Sequence, residues 1–382
     1  MKNIYLLGAT GSIGRQTLEI VDKYPSEFKV VTLSARTRME DLIQLIEKYN
    51  PKFCSVQFKK DADHLTDRFP DIVFGYGKTS LIHAATFQPK DRDGVLINAL
   101  VGIAGLQPTV EAIKIKRNVL LANKETLVVG GSLVMELAKE NQVEIFPIDS
   151  EHSAIWQCMQ NGKKEEVSKV IITASGGAFR NKSFEELKNV TKADALKHPN
   201  WTMGEKITID SATMMNKGFE VMEAIHLFGL LPTQIETVIH PESIIHSMVE
   251  YIDHSIIAQI SSHDMRLPIQ YAMFYPNRKE SIVESIDFAK LSSLHFETMK
   301  EEKYPCFRLA MEAIQSGHSM PCVLNAANEA AVDLFLKEKI EFLEISNIIE
   351  TEMKKHQVIS NPSLEDLLRI DLEVKENIYH NH

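Results

Sequence analysis

The chain has 382 residues, 44% hydrophobic and 25% charged, enough to bury a large core and to divide into two or three domains. A formal net charge of −10 excludes nucleic-acid binding driven by overall charge, and no apolar run approaches the length of a membrane span. Cys54, Cys158, Cys306 and Cys322 lie far apart with no CxxC spacing, which excludes a zinc finger or a disulfide scaffold and predicts reduced thiols in the cytoplasm.

The first predicted strand, Asn3 to Leu7, begins so early that no leader segment is expected. It runs into Gly8-Ala9-Thr10-Gly11-Ser12-Ile13-Gly14, and helical spacing follows from Arg15 to Lys23. A strand, a glycine turn and a helix N-terminus make an anion cradle: the glycines admit a pyrophosphate, and the free N–H groups and the helix dipole bind it. The spacing is GxxGxxG, so the motif points to a dinucleotide through its flanks as much as through its glycines. A second strand, Lys29 to Ser34, ends where NAD enzymes place an acid for the ribose hydroxyl; here Arg36 and Arg38 follow, and cations suit the 2′-phosphate of NADPH.

Strands are predicted next at Phe53 to Gln57, Ile72 to Phe74, Val95 to Leu100, Val119 to Leu121 and Val143 to Pro147, with helical stretches between them. That alternation implies a doubly wound, largely parallel sheet, in which strand ends carry the ligands. Two ends are rich in polar groups: Asn123-Lys124-Glu125, and Asp149-Ser150-Glu151. Asn123 reads equally well as a helix cap, and Asn123 and Glu125 as contacts to ribose or nicotinamide. Asp149 and Glu151 offer the hard oxygen ligands that Mg²⁺ and Mn²⁺ prefer.

Further on, Lys169 to Thr173 predicts a strand leading into Ser175-Gly176-Gly177, small residues able to present N–H groups and a hydroxyl to an anion. After His198, Trp201 and Met203 stand between Pro199 and Gly204 in a segment predicted to close over a ligand. Ile207 to Ile209 predicts a strand end, and from Asp210 a single helix is expected to run to about Phe228. On it Asn216 and Glu220, four apart, share a face beside Lys217. Strands are expected at Thr237 to Ile239 and Ile244 to Tyr251, then helices at Cys306 to Gln315, Cys322 to Lys337 and Phe342 to Lys355.

These runs together carry a resemblance. GATGSIG from Gly8, ALVGIAGLQPT from Ala99, LANKETLV from Leu121, the run Asp149 to Cys158, ASGGAF from Ala174, His198-Pro199-Asn200-Trp201 with Met203-Gly204, DSATMMNKGFEVMEA from Asp210, HPESIIHSMVEY from His240 and PCVLNAANE from Pro321 resemble the 1-deoxy-D-xylulose 5-phosphate reductoisomerase family over nearly the whole chain. The most specific part is DSATMMNKG combined with LANKE. Ala35-Arg36-Thr37 stands where Gly-Lys-Asn is familiar, and Ala178 where proline often follows the paired glycines.

The resemblance implies an α/β chain with an N-terminal Rossmann-like NADPH-binding domain over 1–149, a central α/β catalytic domain over 150–275 with a mobile loop at about 197–206, a connector over 276–300 and a C-terminal α-helical domain over 301–382. It implies that Asp149, Glu151 and Glu220 hold one Mn²⁺ or Mg²⁺ ion, and that Ser175, Ser211, Asn216 and Lys217 grip the phosphate of a sugar phosphate with His198 nearby. Lys124 and Ser150 would contact its hydroxyl-bearing carbons, and Thr10, Gly11, Ser12, Ile13, Arg36, Asn123, Glu125 and Gly204 would bind NADPH. The implied reaction isomerises 1-deoxy-D-xylulose 5-phosphate to a branched aldehyde and reduces it to 2-C-methyl-D-erythritol 4-phosphate. Lys124, Glu151 and a water relay all remain open as the general base, and the middle strands are expected to pair across a homodimer. A dehydrogenase of phosphorylated hydroxy acids or a noncatalytic nucleotide sensor would use the same glycine turn, but neither needs three acids beside a phosphate grip.

Overall fold

A computed structural model describes residues 1–88, 90–91, 93–201 and 203–382, and the chain forms two compact units. The first comprises residues 1–127, 132–149 and 264–284; the second comprises 128–131, 150–263 and 285–382. Residues 264–284 therefore pack with the N-terminal unit, and the C-terminal helices share one unit with the segment carrying Ser175, Ser211 and Lys217. Among the described residues no helix is long and apolar enough to cross a membrane.

The first unit is built on strands β1 (Lys2–Leu7), β2 (Phe28–Ser34), β3 (Phe53–Val56), β4 (Val73–Tyr76), β5 (Val95–Asn98), β6 (Asn118–Leu121) and β7 (Ile145–Pro147), paired in the order β4-β3-β2-β1-β5-β6-β7. Every pairing is parallel. Parallel strands need crossovers that cover both faces, and this is why Ile4 to Leu7 of β1 and all of β3 and β5 are buried at successive and not alternate positions. Strand order reverses between β1 and β5, and at such a switch point the loops after the two strands diverge and leave a crevice at their C-terminal ends.

The second unit holds β8 (Val167–Ala174), β9 (Ile235–Ile239), β10 (Ile245–Tyr251), β11 (Ile256–Ile260) and β12 (Glu297–Thr298) in the order β11-β10-β8-β9-β12. Only β8 and β9 run parallel, so the loops after Ala174 and Ile239 leave the same edge of the sheet. One cluster of buried residues joins this sheet to three helices. Ile155 and Cys158 come from Ser150–Met159, Val221 and Ala224 from Met215–Phe228, and Phe307 from Pro305–Ser316, all against Val170, Ile172 and Val249 of the strands.

Two expectations fail between residues 205 and 228. Ile207 to Ile209 is not a strand end: Glu205–Ala212 is a helix, with Thr208, Ile209, Asp210 and Ala212 buried. A short β-branched run fits a strand and a buried helix turn alike, and packing decides between them. The helix expected from Asp210 to Phe228 is two helices, because Met214 is buried at φ +61° between Ala212 and Met215. A left-handed residue with a side chain costs about 1–2 kcal/mol, and ends one helix before the next can begin. A last helix, Leu364–Asn381, lies beyond the three helices read individually in the C-terminal helical region; its signal is the capping box of Ser363 and Asp366.

Candidate active site

In the first unit, β1 delivers the glycine turn to the switch point. A Cβ on Gly14 would lie 2.3 Å from the carbonyl oxygen of Gly8, so only glycine lets the helix Ser12–Lys23 start this close to the strand. Ser34 Oγ accepts the Gly8 N–H at 2.9 Å and fixes the turn, leaving Thr10, Gly11, Ser12 and Ile13 at the entry of the helix. Arg38 donates to the Thr10 carbonyl at 2.9 Å and Arg15 does so at 3.1 Å. Arg36, one residue past the buried Ala35, is exposed.

The β6 end shows what Asn123 does. Its side chain caps the helix Lys124–Asn141 by accepting from Thr126 N (3.1 Å), and its amide donates to Leu100 O (3.1 Å), Gly102 O (3.0 Å) and Glu125 Oε2 (2.8 Å). This amide is committed to joining the loops after β5 and β6, so the cap reading describes its side chain. Lys124 is thereby aimed along the strand ends, where its ammonium pairs with the Asp149 carboxylate; both groups are nearly buried.

In the second unit a lysine draws two acids together. Lys217 Nζ lies 3.1 Å from Glu151 Oε1 and also pairs with Glu220 Oε2, with Lys217 4% and Glu220 1% exposed. Burial alone would lower the Lys217 pKa, but the two carboxylates outweigh it and hold the ammonium above its ordinary value. Ser150 Oγ donates to Glu151 Oε2 at 2.5 Å, and Asn216 Nδ2 to Glu220 Oε1 at 2.5 Å. The pair Lys217–Glu220 is thus no solvated surface bridge. Two carboxylates, the Glu220 one buried and the Glu151 one partly exposed, are thus held against one ammonium. A divalent ion with an oxygen donor set fits that chemistry.

Beside it, β8 ends in the Ser175-Gly176-Gly177 turn. Gly177 sits at φ +67°, and a Cβ there would lie 2.4 Å from the Ser211 carbonyl oxygen, so this glycine lets the turn rest on the end of the helix Glu205–Ala212. Ser175 and Ser211 are brought to one place by that approach. His198 Nε2 is 3.1 Å from Ser175 Oγ. Burial lowers the His198 pKa to about 4. Asn216 Oδ1, on the following helix, is buried without a protein partner.

Within the segment 197–206, Thr202 lies outside the described residues. Trp201 is half-buried, its ring edge-on to His263 with centroids 5.4 Å apart and 6.2 Å from that of His246. Asn200 donates to Pro241 O (2.7 Å) and Ser243 Oγ (2.8 Å), and Gly204 caps the helix Glu205–Ala212 with open space around it. Sequence reasoning did not single out His246 or His263; His246 lies at the start of β10 and His263 just after β11, with no spacing signal toward Trp201, and the antiparallel pairing of β10 with β11 brings the two together at the ring.

Family models for 1-deoxy-D-xylulose 5-phosphate reductoisomerase match residues 4–131, and its C-terminal domains match 145–228 and 260–377. The chain is 49% identical over 372 residues to the reductoisomerase of Bacillus cereus (strain Q1), covering 97% of each. The chain belongs to the 1-deoxy-D-xylulose 5-phosphate reductoisomerase family. The reductoisomerase of Shouchella clausii (strain KSM-K16) is 50% identical over 380 residues, 99% of this chain and all of that one. Among solved structures, the reductoisomerase from Zymomonas mobilis in complex with NADPH superposes with a TM-score of 0.92 at 40% identity, covering 100% of this chain and 98% of that one. A DOX-P reductoisomerase in complex with NADPH, fosmidomycin and magnesium gives 0.94 at 36% identity, with the same coverage. The reductoisomerase assignment leaves no need for the dehydrogenase and nucleotide-sensor alternatives.

Proposed function

We propose that in this reductoisomerase Asp149, Glu151 and Glu220 hold the divalent cation, while Ser175, His198, Ser211, Asn216 and Lys217 hold the substrate phosphate. The enzyme is NADPH- and divalent-metal-dependent and converts 1-deoxy-D-xylulose 5-phosphate to 2-C-methyl-D-erythritol 4-phosphate. The observation that carries the site reading is Lys217, buried between Glu151 and Glu220. It places a cation for a phosphate next to two carboxylates able to serve a metal. Asp149 is two residues before Glu151 and already paired with Lys124, the group proposed to contact the hydroxyl-bearing carbons with Ser150.

The cation would supply Lewis-acid stabilisation of charge on the substrate's carbonyl and hydroxyl oxygens. NADPH would supply the hydride. The protein groups do the remaining work. Lys217 and the serine hydroxyls hold the phosphate so that both fragments stay in place when the carbon skeleton rearranges. Glu151 or Lys124, directly or through a water relay, would exchange the proton at the reacting carbons. Thr10, Gly11, Ser12 and Ile13 cradle the cofactor's pyrophosphate, Arg36 faces its 2′-phosphate, and the Asn123–Glu125 strand end and Gly204 flank it. Trp201 and Met203 close over the ligand and exclude water.

We also place the enzyme in the cytoplasm as a homodimer. All four cysteines are free and buried. At the sheet edge, β11 exposes Ile256, Ile257 and Ile260 with Ile252 beside it, an apolar edge strand that a second copy would cover. The test of function is direct. Purified protein with NADPH, Mn²⁺ and 1-deoxy-D-xylulose 5-phosphate should consume NADPH and form the methylerythritol phosphate; consumption without that product would overturn the reading.

A further inference from the structure

Asp210 has no role in the reading above, yet it is 1% exposed and directly precedes Ser211. Its carboxylate is held from two directions. Lys206 Nζ, one turn earlier on the same helix, lies 2.8 Å from Oδ2, and Asn328 Nδ2 donates to Oδ1 at 2.8 Å. Asn328 is fully buried on the helix Met320–Leu336, far along the chain. The Asp210 carbonyl accepts the Thr213 hydroxyl at 3.2 Å, and the same hydroxyl oxygen accepts the Met215 N–H at 3.3 Å across left-handed Met214. Helix Met320–Leu336 also binds the other side of the lid segment, because Lys192 Nζ donates to Leu336 O at 2.9 Å.

We infer that Asp210 is a positioning residue: the Asn328–Asp210 bond fixes the end of the helix that presents Ser211 and, through Thr213, the start of the helix that presents Asn216 and Lys217. A buried carboxylate is tolerated only where its bonds are made, so a one-turn slip or a rotation of Glu205–Ala212 would strand the charge. The carboxylate thus turns one helix of the C-terminal region into the frame against which the phosphate grip is set. Helix Met320–Leu336, to which the reading above assigns no ligand-binding group, gains a part in positioning the substrate by this route. The inference rests on Ser211, Asn216 and Lys217 being the phosphate grip.

Steady-state kinetics on the holoenzyme with Mn²⁺ tests it. Asn328→Ala and Asp210→Asn should raise the KM for 1-deoxy-D-xylulose 5-phosphate about tenfold, the scale of one hydrogen bond to a charged group, with the KM for NADPH and the Mn²⁺ titration unchanged. Asn328→Ser is the milder deletion should alanine unfold the helix. The reversed pair, Asp210→Asn with Asn328→Asp, restores a donor and an acceptor and should recover most of the substrate KM. Asn325→Ala removes a different buried amide of the same helix, which donates to Glu329 Oε1 at 2.9 Å, and should lower stability without moving the KM. Wild-type substrate KM in the folded single variants, equal losses in all parameters, no recovery in the reversed pair, or loss of folded protein in every variant would each overturn the inference. Ser211→Ala separates the two readings: if it raises the substrate KM while Asn328→Ala does not, only the Asp210 inference fails, and if Ser211→Ala has no effect the phosphate reading itself fails.

Discussion

His198 and Ser175 meet through Nε2 and Oγ at 3.1 Å, and the other ring nitrogen of His198 decides who donates. Nδ1 accepts the backbone N–H groups of Asn200 at 3.2 Å and Trp201 at 3.0 Å. Two donors on Nδ1 leave the ring proton on Nε2, so His198 donates to Ser175. Ser175 Oγ also accepts the Gly177 N–H at 3.2 Å, which frees its own proton for an anion. The histidine therefore sets the direction of the serine hydroxyl and, through Nδ1, the backbone of the lid segment.

The protonation state of His198 follows from burial. Desolvation depresses its pKa to about 4, against an opposing pull from Glu151 and a further push down from His263. The unfolded chain takes up this proton near the ordinary 6.5 and the native chain only near 4, so His198 adds nothing to the pH dependence above 6.5 and destabilises the fold progressively as pH falls between those values. In NMR titration of the ligand-free protein the His198 ring should stay neutral down to about pH 5. A midpoint near the ordinary histidine value would remove the tautomer argument.

Turnover should be lost on treatment with EDTA and restored by Mn²⁺ or Mg²⁺. Glu220→Gln should shift the Mn²⁺ titration by about tenfold or more, the scale seen when even a partner of a metal ligand is lost. The substitution also leaves the buried Lys217 ammonium with the partly exposed Glu151 and without Glu220, so a drop in thermal midpoint should accompany it. A variant with an unchanged titration would take Glu220 out of the metal site.

Arg36 is exposed while Arg38 donates to the Thr10 carbonyl, so among the described residues Arg36 is the cation after β2 better placed to meet a ligand. Arg36→Asp should raise the KM for NADPH about tenfold or more, as expected when a charge-assisted contact becomes a repulsion, and change the KM for NADH little. Equal effects on both cofactors would mean that Arg36 does not meet the 2′-phosphate.

Gly177→Ala puts a methyl group 2.4 Å from the Ser211 carbonyl oxygen in a left-handed backbone conformation. Overpacking and the backbone penalty should together cost about 2–4 kcal/mol in urea unfolding, and the displaced Ser211 should raise the substrate KM. Wild-type stability would show that the turn and the helix end can separate freely.

For the lid, a Trp156→Phe variant leaves Trp201 as the sole indole. Its emission should change when fosmidomycin and Mn²⁺ are added, and the segment 197–206 should become protected from protease. Constant emission and constant cleavage at saturating ligand would make Trp201 a fixed packing residue over His246 and His263.

The sequence by itself determined what depends on local chemistry. The strand, glycine turn and helix at Gly8 to Gly14, the strands of the parallel sheet and the C-terminal helices from Pro305 to Lys355 are legible because periodicity and glycine placement act within a few residues. So is the donor chemistry of Asp149, Glu151, Glu220 and Lys217, since residue type alone sets which groups can hold metal or phosphate. The tertiary structure alone decided the rest. That Glu205–Ala212 is a helix and Met214 a left-handed break follows from burial against other elements, which a three-residue β-branched run cannot announce. That Lys217 is sealed between two acids, that Asn123 spends its amide on the loops beside it, and that Asn328 reaches Asp210 across 118 residues depend on which elements pack together. Contacts of that range leave no periodic trace in a single chain, because each partner satisfies only its own local pattern until folding brings the other to it.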